Sequence, residues 1–139
     1  MMKKYVVALA VACFATTCAT PALAIKQFND QFKKIYAGDK ANEDFVKLVK
    51  EAKCNVCHVA KENKKKVRNA YGKALHEALE KAEFPVKEFK KDQDKYAEKL
   101  KEIFEGIAKS KSGDKEHETF KARMEANLLP GGDINGKLE

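Results

Sequence analysis

The feature that most narrows what this chain can fold into is only five residues long, Cys54-Asn55-Val56-Cys57-His58. Two thiols three positions apart, with an imidazole directly after the second, put two sulfur donors and a nitrogen donor on about one turn of backbone. The sequence has four cysteines, and the other two, Cys13 and Cys18, fall in an N-terminal stretch that reads as a secretory signal. Lys3 and Lys4 form its positive start, residues 5–15 its apolar run, and Ala22-Leu23-Ala24, preceded by Pro21, its small-residue cleavage site. Thr16, Thr17, Thr20 and Pro21 interrupt the apolar run well short of the ~20 residues that span a bilayer. A lipoprotein signal at Cys13 would be poorly served by Ala10-Val11-Ala12 before it. The expectation is a signal peptide at residues 1–24, cleaved after Ala24, and one domain at residues 25–139, exported to a periplasm or an equivalent compartment.

Removal of 24 of the 139 residues leaves 115, with Cys54 and Cys57 as the remaining thiols. A disulfide between them would close too small a loop to stabilise a fold much. Thioredoxin-like dithiol chemistry would want a βαβ context, and no strand pattern surrounds Cys54. A zinc site needs two further ligands at a recognisable spacing, and no second Cys or His pair supplies them. The pattern C-x-x-C-H fits covalent haem attachment: the thiols of Cys54 and Cys57 form thioethers to the vinyl groups, and His58 becomes the proximal iron ligand. One covalently bound haem c is the expected cofactor.

Periodicity then sets the fold class. Lys, Glu, Ala and Leu dominate, and 7 Gly and 3 Pro give few turns, which disfavours sandwiches and barrels. Phe28, Phe32, Ile35 and Tyr36 recur at helical spacing before the Gly38-Asp39 break. Asn42 reads as an N-cap, and Phe45, Leu48, Val49 and Ala52 form a stripe leading into Cys54. Val67, Tyr71, Leu75 and Leu79 make the next stripe, ended at Phe84-Pro85. Tyr96, Leu100, Phe104 and Ile107 make another, stopped at residues 110–113. Asp114 is the expected cap of a last helix with His117, Phe120, Met124 and Leu128 on its inner face, closed by Pro130-Gly131-Gly132. The expected architecture is all-α, a small domain of about five helices packed around one covalently bound haem, with Phe45, Tyr71 and Phe104 as packing residues.

Over residues 42–79 the chain resembles the N-terminal part of class I monohaem c-type cytochromes, where a helix enters C-x-x-C-H. In that class a Gly/Pro-rich segment follows and a proline carbonyl orients the proximal histidine; residues 59–67 hold neither residue type. Four-helix-bundle cytochromes carry the motif near the C-terminus, unlike this chain. The motif position, Arg68-Asn69-Ala70-Tyr71-Gly72 and the Lys-rich remainder also look like small monohaem cytochromes of planctomycete and anammox-type bacteria. Some of those use a distal cysteine and bind nitric oxide, a ligation for which no spare cysteine exists here.

The resemblance implies a one-electron transfer protein; the alternative is a c-type haem protein that binds or senses NO or CO at an open distal site. No carboxylate/His/Arg constellation for peroxide cleavage is evident, so an enzyme is not expected. Met124 is the first candidate for the sixth iron position and His117 the second, while His76 aligns with Glu80 and Glu83 and reads as a surface residue. Formal charge is +7, falling to +5 on loss of Lys3 and Lys4. Lys53, Lys61, Lys64, Lys65, Lys66, Arg68 and Lys73 crowd the motif and would steer docking of an acidic redox protein. Interspersed Glu and the absence of any nucleic-acid motif argue against a nucleic-acid partner. No integral span is expected in the mature chain, and both a monomer and a dimer are open.

Overall fold

The computed structural model describes residues 25–63 and 66–138. The expected signal segment, with Cys13 and Cys18, lies outside the described residues, as do Lys64 and Lys65. Helices account for the architecture: α1 (Lys26–Tyr36), α2 (Glu43–Ala52), a 3-10 turn (Lys53–Val56), α3 (Ala70–Lys81), α4 (Val86–Lys91), α5 (Gln93–Ala108) and α6 (Phe120–Glu125). Among the described residues there are only two isolated antiparallel bridges, His58 with Arg68 and Lys111 with Thr119, and no strand. No described helix is long and apolar enough to cross a membrane.

Local chemistry explains where the helices start. Asn42 accepts the Asp44 N–H at 2.9 Å, satisfying one orphan donor of α2, and Glu43 and Asp44 place negative charge at its positive end. Phe45, Val49 and Ala52, at i, i+4 and i+7, turn inward. In α5, capped by Asp92, the buried face is Leu100, Phe104, Ile107 and Ala108. α3 and α4 both pack on α5, and α1 reaches α5 and the 3-10 turn, so α5 is the post around which the rest assembles. The expected packing residues Phe45, Tyr71 and Phe104 are all buried.

Aromatic rings fill the centre. Phe32 meets the edges of Tyr71 (5.7 Å between centroids) and Phe104 (6.3 Å), and Tyr71 meets Phe120 at 5.1 Å. Each such ring pair adds about 0.5–1.5 kcal/mol beyond burial of its area. Burial pushes the Tyr71 phenol well above its ordinary value, and burial together with the Glu105 charge lifts Tyr36 to about 12. A raised folded-state pKa stabilises the fold fully below the unfolded value of 10.0 and is lost as pH climbs toward the folded one. An ultraviolet difference titration should therefore find these two phenols protonated past pH 10, ionising together with alkaline unfolding; ionisation of all tyrosines near 10 with the fold intact would contradict their packing.

Two expectations need correction. Asp114 does not cap the last helix: its carboxylate accepts the N–H groups of Glu116 and His117 in a tight turn, and Thr119 caps α6 by accepting the Ala122 N–H at 3.1 Å. α6 is therefore six residues long, Leu128 is exposed, and Leu129 is buried in its place. α4 was not expected at all, since its two buried residues, Val86 and Phe89, are too few to show a period after Pro85.

Beyond α6 the chain folds back along the motif. Buried Arg123 holds this return: its guanidinium donates to the carbonyls of Leu129 (2.8 Å) and Gly132 (3.2 Å) and pairs with Asp114. A planar fork with five N–H donors, used here toward two carbonyls and a carboxylate, suits such a clamp.

Candidate functional site

α2 runs straight into the 3-10 turn, so the helix that buries Phe45 and Val49 also delivers Cys54 and Cys57. The His58 N–H donates to the Cys54 carbonyl at 3.1 Å, closing the five-residue motif on itself. The turn is then locked from two sides. From α3, Asn69 donates through its side-chain amide to the carbonyls of Asn55 (3.0 Å) and Val56 (3.1 Å), accepts the Gly72 N–H (2.9 Å), and donates its own N–H to the Cys57 carbonyl (3.1 Å). One buried side chain thus caps α3 and fastens it to the motif. From the C-terminal return, the Ile134 carbonyl accepts from the Asn55 amide at 3.1 Å, and the Asn135 carbonyl accepts the Ala60 N–H at 2.7 Å. Gly136, at φ +75°, lies so close to the His58 carbonyl that a Cβ there would overlap it.

His58 is buried, and its Nδ1 donates to the Val67 carbonyl at 3.1 Å. Because a carbonyl can only accept, this bond fixes the proton on Nδ1. Metal-bound histidines use such an outer hydrogen bond to hold their tautomer and ring orientation. The orienting carbonyl comes from Val67, and residues 59–67 contain no proline.

Cys54, Cys57 and His58 all line one partly open cleft of about 280 Å³ between the motif, the start of α1 and one face of α3. Its walls are largely apolar, including Phe28, Leu75 and Leu79. Into this apolar setting the fold places three polar side chains with a buried atom lacking any hydrogen-bond partner: Asn29 Oδ1, Arg68 Nη2 and His76 Nδ1. Buried polar groups are normally satisfied. Orphans also occur away from the cleft at Tyr36, Tyr71 and His117, but the Arg68 guanidinium beside apolar walls suits a ligand with an anionic as well as an apolar part. A haem matches: a flat apolar body, two anionic propionates for which the Arg68 guanidinium is a counter-charge, and an iron that takes nitrogen ligands. The residues present fit the group.

Competing chemistry fits less well. Cys54 is exposed, but burial, aided by neighbouring Cys54 and opposed by Arg68, pushes the Cys57 thiol up to about 12. A dithiol oxidoreductase would set such a pair in a βαβ context, and the described residues hold no strand. Among the described residues no three His, Cys, Asp or Glu side chains gather as a metal-ion site, so a zinc held by Cys54 and Cys57 would lack its remaining ligands.

The structure does not bring the two expected distal candidates to this cleft. Met124 is buried on the short α6 and lines a separate groove with Tyr36, Phe45 and Asn42. His117 sits in the turn before α6, its ring 3.5 Å from the Asp114 carboxylate. Both displacements follow from the late start of α6, which sends its inner face toward α5 and away from the motif. His76, expected at the surface, lines the cleft instead. Comparison of the chain with protein-family models, curated proteins and solved structures finds no match.

Proposed function

We propose that this protein is an exported monohaem c-type cytochrome that carries single electrons between protein partners. The observation that supports it best is the convergence of Cys54, Cys57 and His58 on one apolar cleft, with the imidazole already oriented by Val67. When bound, covalent haem supplies a reversible one-electron iron couple. The chain's own residues do the rest. Cys54 and Cys57 anchor the group, while His58 offers a ring whose basicity is raised by its bond to Val67. Phe28, Leu75 and Leu79 keep water from the buried side and so bear on the potential. Asn69 and the return at residues 130–138 hold the motif rigid, which limits reorganisation when charge changes.

Lys26 and Lys53 stand on the rim of the cleft, and Lys61, Lys66 and Lys73, close to the motif in sequence, are exposed. Such a positive border favours encounter with an acidic partner. Electron exchange with an anionic protein should accordingly slow as salt rises past physiological strength, where the screening length is about 8 Å. Reversing the charge of Lys61, Lys66 and Lys73 should reproduce that slowing at low salt. A rate indifferent to both would remove the steering role. The function itself is tested by spectroelectrochemical titration: a reversible one-electron couple with fast exchange is expected. Slow exchange combined with tight NO or CO binding by the unmodified protein would favour a gas-binding role instead.

A further inference from the structure

A c-type centre is defined by both axial positions, and the proposed function accounts only for His58. The cleft face of α3 is built from Gly72, Leu75, His76 and Leu79, the i, i+3, i+4, i+7 pattern of a single helical stripe. Gly72 lies against the Cys57 carbonyl, so this stripe starts at the motif itself. His76 stands one turn further along the same face, at a position fixed by the Asn69 cap and by buried Leu75 and Leu79. Its side chain is 23% exposed.

The ring's two nitrogens differ. Nε2 lies 3.4 Å from the Glu80 carboxylate, one turn along α3. Nδ1 is buried without a hydrogen-bond partner. A carboxylate on one ring nitrogen fixes the proton there and leaves the other as an electron-pair donor, the tautomer that metal-bound histidines use. Nδ1 is covered by protein here, so ligation requires the ring to turn toward the cleft that the residue lines. The remaining cleft residues offer no equal: Lys26 and Lys53 carry ammonium groups that would have to lose a proton, and the Lys26 side chain is 87% exposed and 3.9 Å from Asp30. Apart from His58, His76 is the one imidazole among the described cleft residues, and no methionine lines it.

We propose that His76 is the second axial ligand of the haem held at Cys54, Cys57 and His58, which makes the centre bis-histidine. The assignment rests on the haem reading of the site. A bis-histidine centre lacks the thioether sulfur that raises the potential in Met/His cytochromes, so it implies a low-potential carrier whose iron is closed to weak ligands.

The test uses the holoprotein and three variants, His76→Ala, His76→Met and Met124→Ala, each with haem content measured as pyridine haemochrome. Optical and electron paramagnetic resonance spectra of the unmodified protein should be low-spin in both oxidation states, without the weak long-wavelength sulfur-to-iron band. His76→Ala should keep one haem per chain, turn high-spin and take up CO readily. His76→Met should return to low spin, gain the sulfur band and shift to higher potential, which a merely structural role would not produce. Met124→Ala should leave the spectrum unchanged. A full complement of haem with an unaltered spectrum in His76→Ala, or a sulfur band in the unmodified protein, overturns the assignment alone. Absence of thioether haem in the unmodified protein overturns the haem reading and this assignment with it.

Discussion

Expressed in a host that exports and haem-loads c-type proteins, the double variant Cys54→Ala, Cys57→Ala should show no haem stain after denaturing electrophoresis and should accumulate poorly. Among the described cleft residues Cys54 and Cys57 are the thiols that can anchor the group covalently, and without a bound anion the buried Arg68 Nη2 would stay unsatisfied. Leaving a buried polar group unpaired costs about 1–3 kcal/mol, and more for a charged one. Folded domains of this size have only about 5–15 kcal/mol in hand. Circular dichroism of whatever protein survives should show weakened helix and a broad melt. Retained stain, or a melt as sharp and high as that of the loaded protein, would contradict the role of the two thiols.

The second large effect is expected at Gly72. A Cβ there would overlap the Cys57 carbonyl, which also accepts the Asn69 N–H, so Gly72→Ala must pry the first turn of α3 away from the motif. Overpacking against backbone costs about 3 kcal/mol or more. For a domain of this length that is a fall in melting temperature of roughly 10–20 °C. Gly106 supplies the control. It lies in α5 with nothing near the position of an added Cβ, so Gly106→Ala should stabilise by about 0.5–1 kcal/mol through helix propensity alone. Thermal melts of both variants decide the matter, and equal, small changes at the two glycines would contradict the tight docking of α3 on the motif.

What could be read from the chain in advance was whatever local chemistry encodes. The stripes of α2, α3 and α5 are amphipathic because each needs one buried face, and Asn42 announces the start of α2 because an orphan N–H needs an acceptor next to it. The motif stands out as a pattern for the same reason, since two thiols and an imidazole on one turn of chain can reach one group. The site's supports were not, because they come from far along the sequence. Asn55 is held by Ile134, 79 residues away, and Arg123 fastens the return that brings Ile134 there. No period records such a contact. Asn69 did leave a trace: Asn followed three residues later by Gly, ahead of an apolar stripe, is an N-cap whose N3 position carries no Cβ.

The distal candidates Met124 and His117 lie away from the cleft for a related reason. Helical spacing groups His117, Phe120 and Met124 only if one helix carries them all, and the Asp114 turn ends that assumption before α6 begins. His76 was set aside because Glu80 shares its stripe, yet a glutamate at i+4 is compatible with a half-buried histidine whose ring reaches both the cleft and the carboxylate. A charge neighbour on a helix says where one edge of the ring goes and nothing about the other.

The central claim, covalent haem at Cys54 and Cys57, is tested most directly by the pyridine haemochrome spectrum of the purified, exported protein. A reduced band at the position diagnostic of two thioether links, one haem per chain, retained after acid–acetone extraction, is the predicted result. A chain without haem, or one whose haem extracts and gives the band of an unmodified vinyl porphyrin, would contradict it.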